Sequence, residues 1–233
     1  MSKILVFTAT YNEVKNVEKL IKLVFSNKKK IKMLIIDDNS PDNTFGVLKK
    51  LKKRNKNIIL IKRPSKLGLD TAHKYAFDFA KKNKFKKLIT LDADLSHDPR
   101  IIKKFINKLD KHDFVIGSRY AKGGSCEIGL FRYIISFFGN KLIRLITTIP
   151  CNEFTTSYRG FNLQKLNNFN INMIKSKGYS FFMETVYQIY KQGIQIHEIP
   201  IKFKNRTAGK SKISKIEIFR TFKNLIYLKV FDN

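Results

Sequence analysis

Cysteine is scarce in this chain of 233 residues, which has only Cys126 and Cys151. Their spacing matches neither a zinc-ligand motif nor the disulfide framework of a small secreted domain. The cysteine content therefore argues against a cysteine-based metal centre and a disulfide scaffold, and it favours a reducing compartment.

Long apolar runs are also missing. The sequence has no stretch of about 18 uncharged apolar residues, the length that a membrane-spanning helix needs. The N-terminal segment Ile4 to Phe7 predicts a short strand and lacks the hydrophobic region of a signal peptide. We therefore expect no signal peptide and no transmembrane helix. The chain should be cytoplasmic, or peripheral on the cytoplasmic face of a membrane.

Acidic residues are few: 18 Asp and Glu stand against 47 Lys and Arg, for a formal net charge of +29. Such a surface attracts polyanions, whether nucleic acid, anionic lipid or phosphorylated substrates. The alternative is that lysine runs such as Lys28 to Lys30 are only solvated helix faces. We do not expect a nucleic-acid partner, because the lysines are spread along the chain and do not alternate with aromatic residues as a stacking platform would.

Strand-like and helix-like segments alternate through the first half of the chain. The hydrophobic fraction of 43% argues against disorder, and the length suits one domain, alone or with an appendage. The alternation predicts an α/β fold with a Rossmann-like, mostly parallel sheet flanked by helices. Predicted strands are 3–8, 32–36, 57–62, 87–91, 113–117 and 194–203, and predicted helices are 14–26, 42–54, 70–83, 99–110 and about 215–231.

The most informative motif is Asp92-Ala93-Asp94, which follows the apolar run Lys87 to Leu91. Ligands of open α/β sheets bind at the carboxyl edge of the strands. Residues i and i+2 of a continuing strand point the same way. Both carboxylates could thus reach one hard cation, for which Mg²⁺ or Mn²⁺ with a substrate phosphate is the natural occupant. Taken alone, such a pair more often belongs to a solvated turn, and its neighbours in the sequence favour the metal site.

Other predicted strands also end in polar residues that should meet at this edge. Glu13 could accept from a base or ribose, and Asp38 follows the second strand, where a carboxylate commonly holds ribose hydroxyls. Asp42 could contact a ligand or cap the next helix. The turn Lys66 to Leu69 could meet a diphosphate. His97 is expected at the surface or behind the reacting groups, not as a base.

Five motifs occur in order along the chain: T-Y-N-E from Thr10, D-D-x-S-P-D from Asp37, K-L-G-L-x-T-A from Lys66, D-A-D-L-S-H-x-P from Asp92 and G-S-R-Y from Gly117. With the segments that follow them, they resemble the dolichyl-phosphate mannosyltransferase branch of the family 2 glycosyltransferases. The resemblance covers nearly the whole chain. It implies a glycosyltransferase A fold and transfer of mannose from GDP-mannose to a polyprenyl (dolichyl or similar) phosphate, with inversion and a Mg²⁺ or Mn²⁺ cofactor.

The resemblance also implies roles for individual residues. Asp92 and Asp94 would hold the metal and, with Arg119, Arg132 and Ser136, form the catalytic set. Nucleotide-sugar binding would fall to Ala9, Tyr11, Glu13, Ile36, Asp38, Asp92, Ala93, Asp94, Arg119, Arg206 and Lys212. A sibling enzyme using UDP-glucose or another nucleotide sugar is the close alternative. A non-catalytic nucleotide-binding or nucleic-acid-binding protein is the distant one, which the acidic pair disfavours.

Four positions depart from the pattern of the family. Ala9 replaces a common Pro, and Asp70 stands where Gly is frequent and could cap the following helix. Ser96 replaces a Gln that binds metal in some relatives, which leaves a third protein ligand in doubt. Glu153 stands near a usual Asp and could loosen recognition of the sugar.

Two segments could contact a membrane. The largely apolar segment 128–149, interrupted by Arg132, Lys141 and Arg144, is either an interfacial helix that binds the acceptor lipid or a helix packed into the core. We expect a catalytic domain over 1–205, followed by a basic substrate loop and an amphipathic helix over 206–233. That helix would present Ile216, Phe219, Phe222, Ile226 and Val230 to the domain, an anionic membrane surface or a small membrane-anchoring subunit.

Overall fold

A seven-stranded sheet forms the centre of the computed structural model, which describes residues 3–27, 30–205 and 215–231. The strands of the chain are β1 Ile4–Thr10, β2 Ile31–Asp37, β3 Ile58–Lys62, β4 Lys87–Thr90, β5 Phe114–Ser118, β6 Ser125–Cys126, β7 Arg159–Asn162, β8 Ile196–Pro200 and β9 Lys202–Phe203. The helices are α1 Val17–Phe25, α2 Thr44–Arg54, α3 Leu69–Lys82, α4 Ile102–Lys108, α5 Leu130–Thr147, α6 Tyr179–Lys191 and α7 Lys215–Phe231. Pro99 opens a short 3₁₀ turn before α4, as its fixed φ favours.

The sheet has the strand order β3-β2-β1-β4-β7-β5-β8, and β6 pairs with β9 in a separate two-stranded ribbon. The strands β3, β2, β1 and β4 are mutually parallel, as are β5 and β8, and β7 runs antiparallel between β4 and β5. The predicted mostly parallel sheet is therefore confirmed, with one antiparallel strand that the sequence analysis did not assign.

Alternation along the strands sends apolar side chains to both faces of the sheet. Leu5 and Phe7 of β1 belong to a core cluster that also contains buried residues of α3, α6 and α7. Val6 lies in a second cluster on the other face, together with buried residues of α1, α2 and α4. Helices thus cover both faces, which leaves the ends of the strands as the place where polar side chains can gather.

Strand β7 and helix α6 were not predicted from the sequence, for different reasons. Strand β7 is four residues long and contains Arg159 and Gly160, neither of which favours a strand. Helix α6 has buried residues around most of its circumference, so it lacks the one-sided apolar stripe that marks a surface helix. The predicted segment 194–203 is two strands, β8 and β9, separated at Ile201.

Candidate active site

The carboxyl ends of four parallel strands meet at one edge of the sheet. Thr10 of β1 pairs with Asp37 of β2, which pairs with Lys62 of β3, and Thr90 of β4 lies beside Phe7 of β1. The loops after these strands consequently project from the same edge, as the sequence analysis expected.

The Asp92-Ala93-Asp94 turn follows β4 directly at this edge. Asp94 is buried at 4% exposure, and one of its oxygens accepts from both the backbone N–H and the hydroxyl of Ser96, at 3.0 and 2.6 Å. Asp92 is more open, with 31% of its side chain exposed. Leu95 has a φ of +64°, a region that L-residues rarely adopt outside functional sites and turns. This conformation folds Ser96 back onto Asp94.

The segment that leads into β7 holds the acidic turn from the other side. The Ser157 hydroxyl donates to Asp92 Oδ1 at 2.5 Å, and Thr156 Oγ1 lies 3.2 Å from His97 Nε2. His97 is buried, and its Nδ1 accepts from the backbone N–H of Asp92 at 3.2 Å. Burial lowers the pKa of His97, against the opposing effect of Asp92 and Asp94. His97 is therefore a neutral support behind the turn, which is one of the two expected positions, and it does not lie at the surface.

Arg119 forms an ion pair with Glu153 across the same segment. Its Nε and Nη2 donate to the two carboxylate oxygens at 2.6 and 2.8 Å, and Nη2 also donates to Thr155 Oγ1 at 2.9 Å. Burial opposes charge on the guanidinium, but Glu153 outweighs it and raises the pKa of Arg119. For Glu153, burial alone would raise the pKa. The charge of Arg119 more than offsets this effect, and the pKa of Glu153 is lowered. Glu153 therefore fixes a permanently charged Arg119, a role that the sequence analysis did not foresee.

Another ion pair lies at the predicted nucleoside end of the edge. Asp38 is buried and accepts from Arg63 Nε at 2.5 Å. The same guanidinium donates to Thr71 Oγ1 and to the carbonyl of Gly68, at 2.7 and 2.9 Å. Arg63 thus ties the carboxylate after β2 to the loop between β3 and α3. The sequence analysis missed Arg63, although its position directly after β3 was a usable signal.

The remaining residues predicted to hold the nucleoside differ in how far their side chains are exposed. The Lys66 ammonium lies 4.9 Å from the centre of the Tyr11 ring, so the basic turn does reach the end of β1. Glu13 is partly exposed, accepting from Asn16 Nδ2 at 2.7 Å, and Ala9 is half-buried. Ile36 is fully buried in the core. Its side chain therefore cannot line a ligand pocket, and any contact with a nucleotide must come from its backbone.

The structure also tests the expected roles of Asp42 and Asp70. Asp42 accepts from the backbone N–H groups of Val14 and Thr44, both at 3.0 Å, so it braces two loops and the first turn of α2. Asp70 does not cap α3: the N-cap is Gly68, without a side-chain cap, and Asp70 accepts instead from the N–H of Gly178 at 3.3 Å.

Helix α5 tests the expectation that segment 128–149 is packed into the core. Its buried residues are Asn140, Ile143 and Thr147, whereas large apolar side chains are exposed at Leu130, Phe131, Ile134, Ile135, Phe138, Leu142 and Leu145. A helix with an apolar outer side is not a core helix, so that alternative is wrong. Arg132 is exposed on this helix, and Ser136, one turn later, is half-buried beside Tyr120. The structure thus places both predicted acceptor residues on α5.

The C-terminal region is described in part. Arg206 and Lys212 lie outside the described residues, as do the side chains of Ile216, Phe219 and Val230. Of the predicted apolar stripe, Phe222 and Ile226 are exposed and therefore do not pack against the domain, which buries Leu225 and Leu228 instead. Within residues 3–27, 30–205 and 215–231, no helix is both long and apolar enough to cross a bilayer.

The acidic turn suits a divalent cation by the chemistry of its donors. Carboxylate oxygens are the ligands that Mg²⁺ and Mn²⁺ prefer, and Asp92 and Asp94 supply two carboxylates within three residues. In the part of the chain that the structure describes, no group of three His, Cys, Asp or Glu side chains could hold a metal. Ser96 bonds to Asp94 and gives no sign of being a third ligand. A cation held by this pair would therefore need further oxygens from water or a substrate.

The fold and this edge of the sheet define a class of protein. Residues 5–169 match the Glycosyl transferase family 2, and the chain belongs to that family. Two curated relatives extend the similarity beyond the matched region. The chain is 30% identical over 213 residues to polyprenol monophosphomannose synthase of Mycolicibacterium smegmatis, covering 90% of this chain and 80% of that protein. It is 28% identical over 213 residues to undecaprenyl-phosphate mannosyltransferase of Micrococcus luteus, covering 91% and 88%.

Solved structures confirm the glycosyltransferase A fold. Glucosyl-3-phosphoglycerate synthase of Mycobacterium tuberculosis, in complex with Mn²⁺, UDP and glucosyl-3-phosphoglycerate, superimposes with a TM-score of 0.70 at 11% identity, covering 98% of this chain and 80% of that one. A mannosyltransferase of Pyrobaculum calidifontis, in complex with GDP-Man and Mn²⁺, gives a TM-score of 0.58 at 13% identity, covering 97% and 69%. At these identities the likeness concerns the fold alone.

Proposed function

We propose that this protein transfers mannose from GDP-mannose to a polyprenyl phosphate, with inversion at the anomeric carbon. The observation that carries the proposal is that one segment, residues 154–157, contacts both the acidic turn and helix α5. Ser157 bonds to Asp92, whereas Phe154 N–H donates to Asn140 Oδ1 of the exposed apolar helix α5, at 2.7 Å. The same segment thus connects the acidic turn with a helix that exposes apolar side chains, which supports a transfer from a water-soluble donor to a lipid.

The donor would lie along the edge formed by β1, β2 and β4. Tyr11, Glu13 and Asp38 would contact the nucleoside, with backbone contributions from Ala9 and Ile36. Asp92, Ala93 and Asp94 would lie at the diphosphate, and the two carboxylates would hold Mg²⁺ or Mn²⁺. When bound, that cation would stabilise the negative charge that develops on the leaving diphosphate. Arg63 would keep Asp38 in place, because the buried pair fixes the carboxylate at 2.5 Å.

The acceptor would approach from α5. Arg132 and Ser136 would bind its phosphate, and Arg119, held by Glu153, would lie between the two anionic substrates. Arg206 and Lys212 would add positive charge that offsets the repulsion of these substrates. An oxygen of the acceptor phosphate forms the bond to the anomeric carbon while the bond to the diphosphate breaks and its electron pair leaves with GDP. The acceptor needs no general base, because a phosphate monoester with a second pKa of about 6 is largely dianionic at neutral pH.

The protein would reach this acceptor at an anionic membrane surface. The exposed apolar residues of α5 would insert into the interface, and the net charge of +29 would add attraction to anionic lipids. The protein would then be peripheral on the cytoplasmic face, where a small membrane-anchoring subunit could assist.

A panel of radiolabelled nucleotide sugars with polyprenyl phosphate tests the proposal. We expect a lipid-linked product with GDP-mannose, formed only with a divalent cation, and a β-linkage by NMR. A product with UDP-glucose instead would identify the sibling activity. Absence of product with every donor, despite nucleotide binding, would favour the non-catalytic alternative.

A further inference from the structure

A cavity of about 280 Å³ opens beside the middle of α5. It is far larger than the roughly 30 Å³ that one water molecule occupies in the liquid. Its lining combines two cations, two amides, a hydroxyl and a phenyl ring, and it includes neither carboxylate of the acidic turn. The lining residues are Tyr120, Phe137, Asn140, Lys141, Arg144 and Asn152.

The two cations are held in place. Lys141 and Arg144 are three positions apart on α5 and therefore lie on the same side of the helix. Arg144 Nη1 donates to Asn152 Oδ1 at 2.5 Å, which uses one of the five N–H donors of the guanidinium. The amide group and backbone N–H of Asn152 donate to the Glu198 carboxylate at 2.7 and 3.1 Å, which orients its carbonyl oxygen towards Arg144. The Lys141 ammonium lies 4.7 Å from the centre of the Phe137 ring.

The Tyr120 hydroxyl is an independent sign of a polar ligand. It is shielded from solvent, and among the described residues it forms no well-aligned hydrogen bond. Burial raises the pKa of Tyr120 to about 12, although Arg119 and the nearby Ser136 hydroxyl weaken the rise. The group is therefore a neutral hydroxyl that can donate at physiological pH. An unpaired buried hydroxyl is costly, so a guest that accepts a hydrogen bond in this cavity would remove an unfavourable feature.

We propose that this cavity binds the phosphate group of a lipid in the bilayer on which α5 lies. Phosphate oxygens match the guanidinium, ammonium and hydroxyl donors of the lining. The ligand also needs an apolar part, because the exposed side chains of Phe138, Leu142 and Leu145 lie on the same helix as the two cations. Neither Arg132 nor Ser136, to which the acceptor contacts are assigned, lines the cavity, although Tyr120 lies beside Ser136. The site rests on the proposed function only in requiring that α5 meets a membrane.

Binding to two kinds of vesicle tests this site. Phosphatidylcholine vesicles would carry either phosphatidic acid, whose phosphate is exposed, or phosphatidylserine at equal surface charge. We expect the wild-type protein to prefer phosphatidic acid. Lys141→Ala with Arg144→Ala should weaken that binding roughly thirtyfold, since each basic residue near an anionic surface contributes about 1 kcal/mol, and should abolish the preference. Lys49→Ala with Lys50→Ala, which removes equal charge from exposed positions on α2, should leave the preference intact.

Three outcomes would overturn the proposal. One is a double variant of α5 that loses no more affinity than the α2 control, or that loses affinity equally for both vesicles. Another is Tyr120→Phe binding phosphatidic acid with unchanged preference. The third is displacement from phosphatidic acid vesicles by inorganic phosphate at a comparable concentration, which would assign the cavity to free phosphate. GDP binding and mannose transfer are measured on the same proteins. Failure of transfer in the wild type would refute the proposed function while leaving the lipid preference to be judged separately.

Discussion

The outer side of α5 offers the sharpest test of membrane attachment. The perturbation is Phe131→Ser together with Phe138→Ser. Phe137 is left unchanged because it is half-buried and packs against Tyr120 and Tyr133, with ring centres 5.5 and 5.8 Å away. Replacing Phe137 would disturb the fold as well as the surface, whereas the two chosen side chains project from it.

The expected magnitude follows from the exposure of these rings. Complete burial of a Phe side chain contributes roughly 1.5–3 kcal/mol. Phe131 and Phe138 are 77% and 61% exposed, so most of each ring is available for insertion into the bilayer. Loss of both should therefore weaken hydrophobic attachment by about 2–4 kcal/mol, or roughly 30-fold to 1000-fold in affinity.

Co-sedimentation with anionic vesicles over a range of salt concentrations separates this contribution from electrostatic attraction. At about 1 M salt the screening length falls to about 3 Å, so binding that persists there is hydrophobic. We expect that remainder in the wild type and its loss in the double variant. Tyr75→Ser, which removes an exposed aromatic ring from α3, serves as the control and should retain it.

Membrane attachment through α5 is refuted if the folded double variant still binds at high salt as the wild type does. It is also refuted if the wild type ignores anionic vesicles even at low salt, in which case a membrane-anchored partner would have to supply access to the lipid. Thermal unfolding should show little change in the variant, because exposed side chains contribute little to the core. A large loss of stability would mean that α5 packs more deeply than its exposure indicates.

Further predictions concern the site and its pH dependence. Asp94→Asn should lower turnover by about two orders of magnitude or more while the fold survives; full activity of the wild type in excess chelator would contradict the metal assignment. Lys212→Ala should reduce sugar transfer more than it reduces GDP binding measured by calorimetry; equal losses would make it merely part of the nucleotide pocket. Glu153→Gln leaves the Arg119 guanidinium without its carboxylate and should cost about 3–5 kcal/mol in denaturant unfolding; an unchanged midpoint would refute the importance of the pair. Burial lowers the pKa of His73 from 6.5 to about 3, so the unfolded chain binds more protons between these values. Stability should fall on the order of 5 kcal/mol as the pH drops through that range, and less steeply in His73→Leu.

Much of the fold could be predicted because its signals are local. Apolar runs of four to seven residues marked β1 to β5, and one-sided apolar periodicity marked α1 to α4. The parallel order of the first strands followed from their alternation with helices. Strand β7 escaped because its membership in the sheet depends on pairing with β4 and β5, distant in sequence, and not on the β-propensity of Arg159 and Gly160.

The residues of the candidate site were likewise predictable only where their signals are local in sequence. Asp92 and Asp94 could be singled out from the sequence because they follow a strand, and strand ends meet at one edge. Ser157 could not, because it acts through a hydrogen bond to Asp92, which lies 65 positions away in the sequence. Glu153 was read as a change in sugar recognition, whereas the structure places it against Arg119.

The sequence by itself determined the α/β class, the family resemblance and the acidic turn, because each is written in short-range order along the chain. It left open whether segment 128–149 is core or interface, since the same apolar residues suit both. Only the tertiary structure excluded the core: Asn140 turns inward to accept from Phe154 N–H, and this orientation directs Phe131 and Phe138 outward. Which side of a helix is buried depends on what packs against it, and that partner comes from a distant part of the chain.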